Sequence, residues 1–536
     1  MSALPFEVAR RRTFAIISHP DAGKTTLTEK LLLYGGALQL AGSVTARKNQ
    51  SASASDWMEL ERKRGISVSS TVLQFDYEGH RINLLDTPGH KDFSEDTYRV
   101  LTAVDAAVMV IDAAKGIEPQ TLKLFEVCRL RGIPILTFMN KLDRETRDLL
   151  ELLDELENML QLHPYPVNWP MGVGQRFKGV YDRTTRQAHM FERTVRGAYK
   201  APVSVAGIGD PAVKNTLDAD SYHHFVEQVQ LLDAAGSGFD AVDALKGGTT
   251  PVFFGSAVNN FGVQLLLDAL LKHAPSPAPR ASTPGLIAPD RDSFSGFVFK
   301  IQGNMDPKHR DRVAFVRVVS GRFTRDLTVT HSRTGKACRL ANAHKIFGRD
   351  REIIEEAYAG DVIGLVGYAD FGIGDTLSED PEVVFDEIPR FAPECFARIS
   401  NPNPSKYKPF AKGIEQLLRE GVVRAMTPRD TGDAKTMLLA AVGPLQFEVA
   451  QFRLQSEYGV DSRLELMEWT LARWIGPNTK PGAVDSAALP MRSARVRDEE
   501  GNEMILFPTP WSLQYLTEKH PEIELKRLPP AKVTKR

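Results

Sequence analysis

Cysteine is nearly absent from this 536-residue chain: Cys128, Cys338 and Cys395 stand far apart, an odd number with no CxxC pair. That excludes a disulfide scaffold and a zinc-ribbon site, and it fits a reducing compartment. No run of about 18 apolar residues is present to span a bilayer. The arginines Arg10 to Arg12 are followed by too short an apolar stretch for a signal peptide. A cytoplasmic protein without a membrane span is therefore expected. An excess of one charge is also missing, since 67 Lys plus Arg face 68 Asp plus Glu for a formal net charge of −1. No global basic field points to nucleic acid, although a balanced total conceals local patches. Two such patches stand at Lys308-His309-Arg310-Asp311-Arg312 and in the tail at Lys526, Arg527, Lys532, Lys535 and Arg536. The sequence shows neither internal repeats nor low-complexity segments.

What is present is ordinary globular material, with 42% hydrophobic and 25% charged residues. The length implies roughly three or four domains. From Arg12 onward short apolar runs alternate with amphipathic stretches. Strands are expected at Phe14–Ile17, Thr71–Tyr77, Arg81–Leu85, Ala106–Ile111, Ile135–Met139 and Pro251–Phe254, with Glu78-Gly79-His80 as a turn. Helices are expected at Lys24–Leu33, Gln120–Arg131, Asp148–Leu162 (stopped by Pro164 and Pro166) and Gly262–Lys272. This alternation predicts an α/β domain with a parallel-rich sheet covered on both faces. Residues Tyr165 to Gly248 are less periodic and read as an insertion. The stretch Ala274-Pro275-Ser276-Pro277-Ala278-Pro279 is a stiff linker. After it, Ser295–Gln302, Arg312–Ser320 and Asp326–Thr330 read as short strands of an antiparallel β-barrel. The part beyond Ile388 mixes helices (Lys408–Glu420, Leu445–Tyr458) with a strand (Thr436–Val442), an α+β pattern. The domains expected are thus residues 1–277 (insertion about 165–248), 278–383 and 384–536.

The chemistry-bearing motifs lie in the first domain. Ser18-His19-Pro20-Asp21-Ala22-Gly23-Lys24-Thr25 follows a strand and opens a helix, the context a phosphate-binding loop requires, with Ser18 where GxxxxGK[ST] has Gly. Backbone N–H groups there can cradle the β-phosphate, Lys24 can reach the β- and γ-phosphates, and Thr25 can offer a hydroxyl to Mg²⁺. Asn140-Lys141-Leu142-Asp143 ends a later strand. A carboxylate at Asp143 can accept both hydrogen bonds from the N1–H and N2–H₂ edge of guanine, which adenine does not offer, so GTP is selected over ATP. Asn140 would accept a base N–H or tie its loop to the phosphate loop, and Lys141 would lay its stem over the purine. Asp86-Thr87-Pro88-Gly89-His90 closes another strand. Asp86 can hold Mg²⁺ through water, Gly89 N–H can sense the γ-phosphate, and His90 is placed to orient the attacking water. The polar stretch Arg47–Lys63 runs into Arg64-Gly65-Ile66-Ser67, where Ser67 is a second candidate hydroxyl for Mg²⁺. Gly255-Ser256-Ala257 could supply backbone contacts to guanine O6.

In this order, SHPDAGKT, RGIS, DTPGH, NKLD and GSA, the chain resembles the translational GTPases. The SHPDAGKT start and the RGIS serine are most similar to their class-II release-factor branch, as are Asp86–Glu118, Gly296–Gln302 and Asn304–Phe315. The resemblance covers essentially the whole chain. It implies a GTPase domain, a β-barrel and an α+β domain, with Ser18 tolerated at the first loop position. It also implies GTP/GDP and Mg²⁺ as cofactors, the ribosome and a class-I peptide release factor as partners, a monomer, and GTP-driven departure of that factor in translation termination. On this reading Lys24 and His90 are the catalytic residues. No arginine finger stands out, so hydrolysis is expected to be slow until a partner completes the site. An elongation-type ribosomal GTPase, a metabolic GTPase subunit with the same core and a switch with a protein effector remain as alternatives. The stretch beyond Ile388 is short for the two further domains an elongation-type factor would need.

Overall fold

The computed structural model describes residues 3–38, 69–192, 194, 199–201, 203–235, 238–303, 312–347, 350–386, 388, 391–429 and 437–529. The N-terminal part begins with helix α1 (Ala3–Ala9) and builds one large sheet. Its first strands are β1 (Arg11–Ser18), β2 (Thr71–Tyr77), β3 (His80–Asp86), β4 (Ala106–Asp112), β5 (Ile135–Asn140) and β6 (His163–Pro166). Strands β7 (Asn168–Met171), β8 (Gly179–Asp182), β9 (Gln187–Phe191) and β10 (Val203–Gly207) form a separate antiparallel sheet within the expected insertion, and β11 (Thr249–Phe254) returns to the main one. The main order is β2-β3-β1-β4-β5-β11-β6, with β2 alone antiparallel to its neighbour. The hairpin β2–β3 turns at Glu78-Gly79, so His80 already belongs to β3.

Continuous apolar runs suit strands buried on both faces, because successive side chains point to opposite sides. Phe14, Ile16, Val108 and Val110 enter one core with Leu27 and Leu31 of helix α2 (Lys24–Tyr34) and Leu266 and Leu270 of the helix Val263–His273. Ala15, Ile17, Met109 and Ile111 face the other core. They meet Val100 of α3 (Ser94–Thr102), Leu124 of α4 (Pro119–Leu130) and Leu152 of α5 (Leu149–Leu160). Cys128 lies in this second core, where burial pushes its thiol up to about 12, so it is inert at neutral pH. Helix α5 is capped by Asp148, whose carboxylate accepts from Leu150 N and Glu151 N. It does not end at the prolines as the sequence suggested. Gln161 closes it at φ 54, and Pro164 and Pro166 lie in β6, the sheet edge, where a missing N–H is tolerated.

After the linker the hairpin of β12 (Arg280–Ser282) and β13 (Gly285–Ile287) leads into an antiparallel β-barrel domain of eight main strands, including β14 (Ser295–Gly303) and β15 (Arg312–Ser320). Its core gathers Phe294, Val298, Val316, Ile363 and Leu377. The third domain is α+β: helices Tyr407–Arg419 and Pro444–Tyr458 pack on one face of an eight-stranded antiparallel sheet through Ile414, Leu417, Phe447 and Leu454. Among the described residues no helix is long and apolar enough to cross a membrane.

The barrel is bonded to the scaffold strands of the N-terminal domain. Arg11 Nε donates to Asp361 Oδ2 at 2.8 Å, Thr13 Oγ1 to the Gly360 carbonyl at 2.7 Å, and Gln74 Nε2 to the Val362 carbonyl at 2.8 Å. Arg317, only 1% exposed, donates to Asp105 Oδ2 at 2.6 Å and to the Ala103 carbonyl at 2.8 Å. Arg280 shares the same carboxylate at 3.5 Å. Lys300 Nζ donates to Ser69 Oγ and Ser70 Oγ, both at 2.7 Å, and lies 3.6 Å from Asp96 Oδ2. Burial pushes the Asp96 carboxyl up, but Lys300 and the Ser70 hydrogen bonds outweigh it and hold the group below its ordinary value.

Removing one partner of a buried pair leaves an uncompensated charge, a loss of about 3–5 kcal/mol. Asp105→Ala is therefore expected to lower the denaturant midpoint of the native protein by that equivalent; a loss under ~1 kcal/mol would show that water reaches Arg317. A carboxyl whose folded pKa is depressed contributes stability above its unfolded pKa and loses it as pH falls through the folded one. Asp96→Asn should accordingly cut stability at pH 7 and flatten the loss on acidification below the usual carboxylate range. Parallel acid profiles of the two proteins would contradict this.

Candidate functional site

The carboxyl ends of β1, β3, β4 and β5 open together on one edge of the sheet, the place where open α/β sheets bind ligands. A cleft of about 330 Å³ lies there, and Ser18, Lys24, Thr25, Gly89, His90 and Asp143 are among the residues lining it. The loop between β1 and α2 turns with Asp21 at φ 64 and Gly23 at φ 103. Gly23 is required twice over: its φ is left-handed, and a Cβ there would stand 2.2 Å from Asn140 Nδ2. The turn presents the first N–H groups of α2, which have no partner within the helix, to the cleft.

Asn140 is the tie between three loops. Its Nδ2 donates to the Ala22 carbonyl at 2.8 Å, and its Oδ1 accepts from Ala257 N at 2.9 Å. Of the two roles expected for Asn140, the geometry realises the tie to the phosphate loop. Lys141, itself at φ 69, donates to Asp112 Oδ2 at 2.7 Å and to the Asp21 carbonyl at 2.6 Å, so its stem is stretched along the cleft wall. Ser256 Oγ donates to Asp143 Oδ1 at 2.6 Å and is itself held by Asn259 Nδ2 at 3.1 Å, fixing the carboxylate expected to read guanine. Leu142 points into the core, and its N–H donates to the Gly255 carbonyl at 3.1 Å.

At the other end Lys24 Nζ donates to Asp86 Oδ1 at 2.5 Å, with the two residues 6% and 2% exposed. Asp86 Oδ2 is buried without a hydrogen-bond partner. An oxygen left in that state on the partner of Lys24, with the Thr25 residue lining the same cleft, fits a hard divalent cation, so the residues present suit Mg²⁺. Thr87 Oγ1 donates to the Ile16 carbonyl at 2.7 Å and the Pro88 carbonyl accepts from Thr97 Oγ1 at 3.3 Å; these two brace the turn from beneath and do not line the cleft. Gly89 sits against the phosphate loop, where an added Cβ would lie 3.6 Å from Pro20 Cα. The His90 side chain is 33% exposed at the cleft mouth, and its Nδ1 accepts from Asp92 N at 3.3 Å.

The structure thus gathers Ser18, His19, Pro20, Asp21, Gly23, Lys24, Thr25, Gly89, His90, Asn140, Lys141 and Asp143 around one cleft, with Ala22, Ser256 and Ala257 as bracing. Ser67 and the rest of Arg47–Ser67 lie outside the described residues. Of the two basic patches, Lys308–Asp311 and Lys532, Lys535 and Arg536 lie outside them as well. Arg312 is engaged with the Ala369 carbonyl and Gln416, and Lys526 pairs with Glu524 at 3.1 Å. Sequence reasoning missed Thr26, Arg144 and Val258, which also line the cleft, and Asp112, which anchors Lys141. Asp112 ends β4 in register with Asn140 on β5, a signal readable only once the strands are paired.

Three family models match the chain in succession. They are the Elongation factor Tu GTP binding domain over residues 9–276, Elongation factor G domain 2 over 293–380, and the Class II release factor RF3, C-terminal domain, over 385–517. Among curated proteins, peptide chain release factor 3 of Gloeobacter violaceus is 55% identical over 98% of this chain and 99% of its own length. Peptide chain release factor 3 of Gloeothece citriformis is 54% identical over 98% and 96%. A crystal-structure chain from Thermus thermophilus superposes with a TM-score of 0.69 over 85% of this chain and 67% of its own, at 24% identity, a likeness of fold.

Asn140→Ala would strip both the Ala22 carbonyl and the Ala257 N–H of their partner, each loss of the order of 1–3 kcal/mol. The dissociation constant for a fluorescent GDP analogue is expected to rise at least ~10-fold. A value within twofold of the unmodified protein would remove Asn140 as the tie.

Proposed function

Since this chain belongs to the peptide chain release factor 3 family, we propose that the cleft binds GTP and that its hydrolysis times the departure of a class-I peptide release factor from the ribosome. The protein is a GTPase of translation termination. The observation that carries the mechanism is the arrangement of one cleft, with the Lys24–Asp86 pair and His90 at the phosphate end and the Asp143–Ser256 pair at the base end.

Asp143, its carboxylate already oriented by Ser256, accepts from the guanine N1–H and N2–H₂ edge. Entry of the triphosphate draws Lys24 Nζ from Asp86 to the β- and γ-oxygens, which exchanges one anionic partner for another. Asp86 and Thr25, with Ser67 as the second hydroxyl, hold Mg²⁺, which when bound neutralises charge on the β- and γ-phosphates. His90 orients a water in line with the γ-phosphorus. The water oxygen bonds to phosphorus, the bond to the β–γ bridging oxygen breaks, and GDP leaves as inorganic phosphate takes up the water's protons. The ribosome docks His90 over the γ-phosphate and so completes the site. The protein works as a cytoplasmic monomer on this reading, and its near-neutral total charge suits a factor that must leave, because few phosphate contacts keep binding weak.

Loss of a positioned group of this kind lowers the rate by ~10²–10³. His90→Ala is expected to reduce ribosome-stimulated GTP turnover by that factor while GTP still binds, and the protein is expected to pellet with ribosomes in the presence of a non-hydrolysable GTP analogue. Full turnover by the variant would take the water-orienting role from His90, and the absence of pelleting would favour the metabolic or switch alternatives.

A further inference from the structure

Among the described residues, the third domain touches the GTPase domain along the residues that follow His90. Arg424 pairs with Glu95, Arg99 Nη1 donates to the Gly421 carbonyl at 3.4 Å, and Phe93 packs on Leu445 and Val449. The contact nearest the cleft is made by Asp92, which is 3% exposed. Its Oδ2 accepts from Leu445 N, in the first turn of the helix Pro444–Tyr458, at 2.9 Å. Its other oxygen stands 3.4 Å from His90 Nδ1, and its own N–H donates to that same ring nitrogen at 3.3 Å. A carboxylate at this place gives an otherwise orphaned helix N–H its partner and complements the positive end of the helix dipole. The fit leaves no slack on the far side, where a Cβ added to Gly443 would stand 2.2 Å from Asp92 Cγ.

We infer that Asp92 is a positioning residue for His90, holding the imidazole in its hydrolytic orientation only while the helix Pro444–Tyr458 is docked against it. The histidine thereby reads the placement of the third domain. Asp92 bonds the helix with its carboxylate and the ring with its backbone N–H, so a shift of the helix by an ångström moves the residue and with it the hydrogen bond that orients the ring. Misplacement of that size is worth up to ~10²-fold in rate. The same residue gives the coupling a direction: a partner that pulls the third domain away releases His90 and stalls hydrolysis, and a partner that presses it home permits hydrolysis. The inference rests on His90 as the residue that orients the water.

The test compares ribosome-stimulated turnover and fluorescent-GDP affinity for Asp92→Ala, Asp92→Asn and Gly443→Ala, each alone and combined. Asp92→Ala is expected to lower turnover by roughly 10–100-fold with GDP affinity within twofold of the parent, and Asp92→Asn, which keeps an acceptor for Leu445 N, to recover part of it. Gly443→Ala, made wholly on the third domain, should lower turnover several-fold in the parent protein. In Asp92→Ala the clash is relieved only in part, since the Cβ that remains would stand 2.6 Å from the added one. Gly443→Ala should therefore cost clearly less there than in the parent, because coupled residues fail to add. In a His90→Ala background Asp92→Ala should likewise have no further effect. Additive losses in either pair, or a fall in turnover that only tracks a fall in folded fraction by circular dichroism, would overturn the inference and leave Asp92 as a helix cap. If His90→Ala itself keeps full turnover, the reading of His90 fails. If His90→Ala is slow while Asp92→Ala and Gly443→Ala match the parent, this inference alone fails.

Discussion

The short helix after the Asp86–His90 turn has charged side chains held on several sides by other parts of the chain. Glu95 is held by Arg424 of the third domain, Asp96 by Ser70 and by Lys300 of the barrel, and Arg99 reaches the Gly421 carbonyl. Burial by itself pushes the Glu95 carboxyl up, and the guanidiniums of Arg424 and Arg99 reverse that and hold it below its ordinary value. A buried charge with a partner on another domain is a strong positional constraint, because separating the pair strands both ions. The helix can therefore shift in response to the nucleotide only if its neighbours shift with it.

The two neighbours are constrained differently. The barrel is fastened through Arg11, Thr13, Gln74 and Asp105, on strands and strand ends of the large sheet away from the cleft mouth. Phe297, Phe299 and Phe315 of the barrel share a continuous apolar core with Val104 and the sheet. That interface combines apolar burial with paired ions. The third domain, among the described residues, meets the GTPase domain through Asp92, Phe93, Glu95, Tyr98 and Arg99, with the Tyr98 ring 4.5 Å from that of Phe391. Its placement accordingly depends on the segment that follows the Asp86–His90 turn.

Much of this was legible from residues alone, and the reason differs by element. The doubly covered strands announced themselves as unbroken apolar runs such as Ala106–Ile111, since a strand with no solvent face needs no alternation. That the residues expected to cradle phosphate and to read guanine meet at one cleft was legible because backbone N–H cradles and paired acceptors admit few residue types. The end of α5 was misread, since prolines stop a helix only if the chain reaches them in helical form, and Gln161 had already turned it. Thr87 and Leu142 belong to motifs that read as nucleotide contacts, and the structure shows them bonded or packed inward, bracing the loops that carry the contacts.

The sequence by itself determined which side chains are the candidates to hold a triphosphate, an ion, a guanine edge and a water, all encoded within short local spacings. Which residues connect that site to the rest of the molecule was decided only by tertiary structure. Asp92 reads in the sequence as one more acid beside a histidine, and Gly443 as one more loop glycine. Their meeting depends on a helix N-terminus brought across from 353 positions away. Local spacing carries no information about such a pairing, because the packing of whole domains sets the distance and the chain between them does not.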